Sequence, residues 1–117
     1  MFQTIQLIGR AGGNGKQGTA SNGTQYAMLD LAVTIGYGEN RSTCWVSCSF
    51  WGDLAKAAVE RIQTGNIVMV RGSDFELTSY TDKQGKVQPK LRLRVDKFAA
   101  YDTVRREPQS EQQGLDF

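Results

Sequence analysis

Apolar and polar residues alternate in several segments of the chain, the pattern of a strand with one buried face. In residues 25–35, Ala27 and Leu29 fall on one face, and Met28 and Asp30 on the other. The same reasoning, helped by β-branched and aromatic residues, predicts five strands. They cover residues 2–8, 25–35, 44–51, 66–80 and 87–98.

Residues 53–64 have the spacing of a helix instead. Leu54, Ala58 and Ile62 recur every fourth position and share one helical face. Asp53 is expected to cap the start of the helix, and Gly65 to end it. Three strands, one helix and two strands predict an all-β OB-fold, a five-stranded Greek-key barrel with the helix between the third and fourth strands.

Polar, glycine-rich segments separate these elements. Residues 9–24 hold six glycines and predict a mobile loop or a wide hairpin end, and residues 36–43 predict a second loop. Residues 81–86 predict a hairpin turn, and Gly72 inside a long strand predicts a bend or bulge. The composition then changes, so residues 1–101 are expected to form the domain and residues 102–117 a disordered tail.

The third predicted strand, residues 44–51, has two unlike faces. One is apolar throughout and suits a core, with Cys44, Val46, Cys48 and Phe50. The other alternates indoles with hydroxyls, in the order Trp45, Ser47, Ser49 and Trp51. Burying this second face would leave the two hydroxyls without hydrogen-bond partners. Exposing two indoles without a purpose would instead favour aggregation. We therefore predict an open aromatic surface that receives a flat ligand.

Charge indicates a polyanionic partner once it is divided along the chain. The whole protein has 14 basic and 12 acidic side chains, but residues 1–101 carry twelve and eight of them. Nucleobases stack on aromatic rings with about 1–3 kcal/mol each, and the candidate rings are Trp45, Trp51, Tyr80 and Tyr37. Cations would neutralise the phosphates, and the candidates are Arg10, Lys16, Arg41, Arg71, Lys86, Lys90, Arg92 and Arg94.

The composition argues against an enzyme and against a bound cofactor or metal. The chain has no His, which excludes imidazole bases, Ser-His-Asp nucleophiles and His-ligated metals. Residues 13–18 match the dinucleotide pattern GxGxxG, but a strand pattern follows them where that site needs a helix. The carboxylates are scattered over separate elements, and Asp74 and Glu76 are interpreted as solubilising an edge strand.

Cellular location is predicted from the cysteines and the apolar runs. Cys44 and Cys48 lie about 13 Å apart in an extended strand, too far for a disulfide. No apolar run approaches the roughly 20 residues of a membrane span, and the N-terminus does not have the pattern of a signal peptide. These features predict a cytoplasmic protein with reduced thiols.

Four segments, taken in their order and spacing, resemble the bacterial-type single-stranded DNA-binding protein (SSB) family. They are IQLIGR at 5–10, WVSCSFWGDLA at 45–55, GNIVMVRG at 65–72 and YTDKQG at 80–85. The resemblance covers about residues 2–101 and the final few. It implies an OB-fold homotetramer that binds and protects single-stranded DNA in replication, recombination and repair, in the cytoplasm with the nucleoid.

The resemblance also implies roles for particular residues. Trp45, Trp51 and Tyr80 match stacking positions of the family, as does Tyr37, and Tyr at 80 and 37, where the family often has Trp, implies weaker stacking. The C-terminal residues Leu115, Asp116 and Phe117 resemble the family's acidic tip that docks on replication and repair proteins. The tip here has one Asp and no Pro, which suits a phage, plasmid or mobile-element member.

Two alternatives remain open at this point. One is a primosomal OB-fold dimer that bridges a helicase to DNA. The other is an OB-fold used for protein contacts alone, with its tryptophan face covered by a partner. The preference for DNA over RNA follows from the resemblance only, because OB-folds stack single-stranded RNA in the same way.

Overall fold

The computed structural model describes residues 3–13 and 15–101, so the predictions for Phe2 and for the 102–117 tail lie outside the described residues. The elements it contains follow in chain order. They are β1 (Ile5–Ala11), β2 (Lys16–Thr19), β3 (Gln25–Ile35), a short 3₁₀ turn (Gly38–Asn40), β4 (Ser42–Trp51), α1 (Asp53–Arg61), β5 (Ile67–Thr81) and β6 (Val87–Tyr101).

The strands close into a barrel. Their order is β1-β5-β6-β4-β3-β2, and β1 also pairs with β3, which joins the two ends of the sheet. All pairings are antiparallel except that of β4 with β6. Five long strands closed in this order, with a helix between β4 and β5, confirm the predicted OB-fold.

The core consists of the inward faces of the long strands and one face of α1. Leu31, Val46, Phe50 and Val70 have no exposed surface, and Phe98 packs edge-on against Phe50 with ring centroids 5.5 Å apart. Closing the barrel removes the sheet edges along most of these strands. The apolar faces predicted from alternation are therefore the faces that the barrel buries.

The helix begins at Asp53, as predicted, but the predicted cap and the predicted end were wrong. Asp53 is the first helical residue rather than the cap, which is Gly52, and no side chain caps the helix. Gly52 turns the chain with a φ of +66°, a conformation that favours glycine, and the Asp53 charge lies in the first turn, where the helix dipole favours it. The helix stops at Arg61, because Ile62 is extended and almost fully buried in the core.

The glycine-rich segment at 9–24 is more ordered than predicted. β1 continues to Ala11, three residues past its predicted end, and Lys16–Thr19 forms the sixth strand, β2. The four residues of β2 have the sequence KQGT, which contains no alternation of apolar and polar residues and no β-branched residue before its last position. The strand exists because residues 25–28 of β3 pair with it, a tertiary effect that local sequence does not carry.

A hairpin extends β5 and β6 beyond the barrel. The register of the two strands shifts on both sides of Gly72, which confirms the predicted bulge. β5 pairs with β6 along its whole length, whereas β1 pairs only with residues 67–72 of β5. The predicted turn is confirmed, and there the Asp82 carboxylate accepts the backbone N–H groups of Gln84 and Lys86 at 3.0 and 2.8 Å.

Candidate nucleic-acid interface

The two faces of β4 differ in exposure as predicted. Val46, Cys48 and Phe50 are fully buried in the barrel. The outward residues, Trp45, Ser47, Ser49 and Trp51, are all partly exposed. The two indoles are therefore open on one side and lie at the two ends of a single strand face, about 20 Å apart at ~3.3 Å per residue.

The neighbouring strand, β6, places a row of cations beside this face. The parallel register sets Lys90 opposite Trp45, Arg92 opposite Ser47, and Arg94 opposite Ser49. The Arg94 guanidinium lies 5.4 Å from the centroid of the Trp51 ring, which is within cation–π range. Three of the predicted phosphate-binding residues thus line the same surface as both predicted tryptophans.

Tyr80 joins the surface from the β5–β6 hairpin. The Lys90 ammonium lies 5.6 Å from the centroid of its ring. Lys90 is also opposite Trp45, so Tyr80 belongs to the Trp45 end of the face. Lys86 lies at the exposed end of the same hairpin, where its backbone rather than its side chain holds the turn.

Tyr26 is a member of this surface that the sequence analysis did not single out. It pairs with Trp51 across β3 and β4, with ring centroids 5.3 Å apart and planes tilted by 44°. Alternation had placed Tyr26 on the polar face of its strand. Only the β3–β4 register, which periodicity does not specify, shows that this face continues the tryptophan face.

Two further predicted cations flank the face on the β1–β2 side. Lys16 pairs with Met28, which in turn pairs with Ser49. Arg10 pairs with Ala32, the partner of Trp45, and its guanidinium donates to the carbonyl of Gly65 at 2.8 Å. Both residues are exposed and lie in outward rows of the barrel.

The remaining predicted residues lie further from the centre of the face. Tyr37 is 85% exposed, and both it and Arg41 are in the connection between β3 and β4, at the Trp45 end. Arg71 is not brought to the tryptophans. Its register neighbours are Gln6 and Lys97, and its guanidinium forms an ion pair with Asp96 at 3.2 Å.

Carboxylates share the face with the cations. Asp30 lies 3.5 Å from the Lys90 ammonium, and Glu76 lies 3.6 Å from the Arg92 guanidinium. Asp74 is opposite Arg94 in the register. Interpreting Glu76 only as a solubilising residue was therefore incomplete, since it pairs with a cation of the candidate interface.

A groove of about 500 Å³ runs along the centre of this surface. Its walls include Met28, Ser47, Ser49, Trp51, Arg92 and Arg94. The groove is wide open to solvent and combines flat apolar surface, hydroxyls and cations with the carboxylates of Asp74 and Glu76. The rings, hydroxyls and cations are the part that suits an unpaired strand. These are the groups that contact bases and phosphates of an unpaired strand.

The titratable groups of the described chain offer little other chemistry. Both cysteines are free, as predicted, and burial, assisted by the Asp30 charge, raises the pKa of the Cys48 thiol to about 12. A thiol with that pKa is protonated and unreactive at neutral pH. Over residues 3–13 and 15–101, no cluster of three or more His, Cys, Asp or Glu side chains could hold a metal ion, and no helix is long and apolar enough to cross a membrane.

The predicted docking tip, Leu115, Asp116 and Phe117, lies outside the described residues. Comparison with known protein families identifies the family of the chain. The model of the single-strand binding protein family matches residues 2–101, which is most of the chain. The matched range contains every strand of the barrel and the whole of the aromatic and basic face.

Proposed function

We propose a function from one premise: the chain belongs to the single-strand binding protein (SSB) family, whose members bind single-stranded DNA without catalysing a reaction. The protein coats unpaired DNA with little sequence preference and protects it during replication, recombination and repair. Nucleobases stack on Trp45, Trp51 and Tyr80, and on Tyr37 at the outer end of the face. Stacking of this kind is tolerant of sequence because every base has a π-face.

One observation carries this proposal. Two partly exposed indoles lie on a single strand face, and the adjacent strand sets Lys90, Arg92 and Arg94 directly beside them. Bases and phosphates alternate along a nucleic-acid strand, so a useful surface must offer rings and cations side by side. The parallel pairing of β4 with β6 supplies that arrangement.

The other cations extend the path of the phosphates. Lys16 and Arg10 continue the basic surface on one side, and Lys86 and Arg41 on the exposed loops at the other. Arg71 contributes less, because the register places it opposite Gln6 and Lys97, away from the tryptophans. Each phosphate neutralised releases counterions, and log K should fall by about 0.7 per contact for each tenfold rise in salt.

Assembly and partner binding complete the proposal. Family members assemble into oligomers, and we expect a homotetramer here. Leu115, Asp116 and Phe117 form the segment that would dock replication or repair proteins. DNA is preferred over RNA on the ground of family membership.

Intrinsic fluorescence titrated with dT and rU oligonucleotides tests this function. DNA should quench tryptophan emission, and the affinity should fall with salt as described. Trp51→Ala should weaken binding to dT and to mixed sequence alike, by about 1–3 kcal/mol, because stacking does not read the base. Tyr101→Ala is the matched control, since this exposed tyrosine lies at the far end of β6, opposite Ile67.

The results separate the alternatives. Unchanged affinity when Trp45, Trp51 and Tyr80 are all replaced by Ala would eliminate the stacking mechanism. No electrophoretic shift of a labelled dT oligonucleotide at low salt would favour a protein-interaction module. Equal affinity for rU and dT would remove the preference for DNA.

A further inference from the structure

Gly12, at the end of β1, touches the larger of the two rings of the Trp45 indole. A methyl carbon built on Gly12 would lie 2.9 Å from Cζ3 and 3.2 Å from Cη2 of that ring. Carbon atoms in favourable contact are separated by about 3.5–4.0 Å. The indole therefore occupies the space where any other residue at position 12 would carry its side chain.

The backbone of Gly12 is fixed, so it cannot move away from the ring. Its N–H donates to the carbonyl of Asp30 in β3 at 2.9 Å. The preceding residue, Ala11, is buried, donates to the Asn66 carbonyl at 2.9 Å and accepts from the Gly65 N–H at 3.0 Å. The same methyl carbon would lie 3.2 Å from the Asp30 carbonyl oxygen, so it would press on β3 as well as on the indole. Because a partly exposed side chain moves more readily than a hydrogen-bonded backbone, the indole should be displaced the most.

We propose that Gly12 is a positioning residue for DNA binding, which holds the Trp45 indole at the angle that bases need in order to stack on it. Its missing side chain lets the ring lie against the backbone that follows β1 while the indole stays partly exposed. The inference rests on the proposed function, because it concerns how one of the stacking rings is oriented. It also gives a role to one glycine of the glycine-rich segment at 9–24, for which the sequence offered no binding function.

The adjacent glycine provides a matched control. A methyl carbon on Gly13 would meet nothing within 4 Å. Neither Gly12 nor Gly13 has a positive φ, so neither backbone conformation is restricted to glycine. Gly12→Ala and Gly13→Ala therefore make the same chemical change one residue apart, and only the first meets the indole.

The first measurement follows the solvent accessibility of the Trp45 indole in the absence of DNA. In the full chain carrying Trp51→Phe, Trp45 is the single tryptophan, because the sequence has two. Gly12→Ala should lift the indole and make its emission more accessible to acrylamide, whereas Gly13→Ala should leave quenching unchanged. Equal quenching in all three proteins would overturn the inference.

The second measurement is a double-mutant cycle on binding to a dT oligonucleotide. Gly12→Ala should weaken binding by about fivefold or more, the lower end of what loss of a stacking ring costs. In the presence of Trp45→Ala it should cause no further loss, since no ring remains to be displaced. An equal loss in both backgrounds, or a fall in the thermal midpoint large enough to explain it, would show a structural role only and overturn the inference.

The outcomes also distinguish the inference from the proposed function. If Trp45→Ala weakens binding and Gly12→Ala does not, the positioning role fails while stacking stands. If neither variant changes the affinity, stacking on Trp45 fails as well.

Discussion

The cations of the interface are not free in the described structure, because carboxylates already contact two of them. Asp30 holds Lys90, and Glu76 holds Arg92 at 3.6 Å with both side chains about two-thirds exposed. Exposed pairs of this kind contribute only about 0–1 kcal/mol, so a phosphate can replace the carboxylate. The displaced carboxylate nevertheless stays beside the DNA and repels it, which should moderate the affinity.

Replacing Glu76 with Gln should therefore strengthen DNA binding. We expect about two- to fivefold tighter binding of a dT oligonucleotide at low salt, since the substitution frees Arg92 and removes a like charge from the phosphate path. The gain should shrink as salt rises, because both effects are screened. Fluorescence titrations at several salt concentrations measure it.

Glu60→Gln is the matched control, since this exposed glutamate lies on α1, outside the strand face. It removes the same charge from the protein. If both variants gained equally, net charge rather than the Arg92 contact would explain the effect. Weaker binding by Glu76→Gln would contradict the idea that this carboxylate competes with phosphate.

At the scale of elements, Gly72 determines where β5 leaves the barrel and becomes the hairpin that carries Tyr80. It is buried at the bulge, and a methyl carbon there would overlap the carbonyl oxygen of Arg94 and lie 2.9 Å from Leu93 Cδ1. A backbone carbonyl within a sheet cannot turn aside as a side chain can. The close approach of β5 and β6 at the bulge thus requires glycine.

Gly72→Ala should consequently destabilise the fold by about 1–3 kcal/mol, the usual cost of overpacking. Thermal or urea unfolding measures the loss. Gly15→Ala serves as the control, because the nearest atom to its methyl carbon would be 3.7 Å away. A Gly72→Ala protein as stable as the parent would show that the bulge relaxes without glycine.

The sequence predicted the elements whose residue pattern is local. It did not predict the features that depend on how distant strands pair. Alternation gave β3 and the two faces of β4, and the turn at 81–86 followed from its residues. β2 was missed because it forms by pairing with β3. The helix ends earlier than predicted because Ile62 is extended and buried in the core. Tyr26 was missed for the same reason as β2, since only the register brings it to Trp51.

At the scale of the whole molecule, large apolar side chains remain on the surface of the described barrel. Ile8 is 61% exposed, and Leu77 and Val87 on the hairpin are 78% and 69% exposed. Alternation places Leu77 on the same side of β5 as Phe75, which packs against the core. Surfaces of this kind are commonly covered by another protein chain.

If the protein is the proposed homotetramer, light scattering should give about four times the 12.9 kDa mass of one chain. A tetramer agrees with the proposed function, because the family forms oligomers and a subunit alone leaves these side chains in water. A mass of two chains would instead favour the primosomal alternative. A monomer at micromolar concentration would contradict both the tetramer and the dimer.

The parallel pairing of β4 with β6 has a consequence for biosynthesis. The rings come from the middle of the chain and the cations beside them from its last strand, with α1 and β5 in between. A nascent polypeptide still missing β6 would have its tryptophans without the row of Lys90, Arg92 and Arg94 beside them. Full affinity for DNA should accordingly arise late, when the final strand docks, so that completed barrels join the nucleoprotein in preference to unfinished ones.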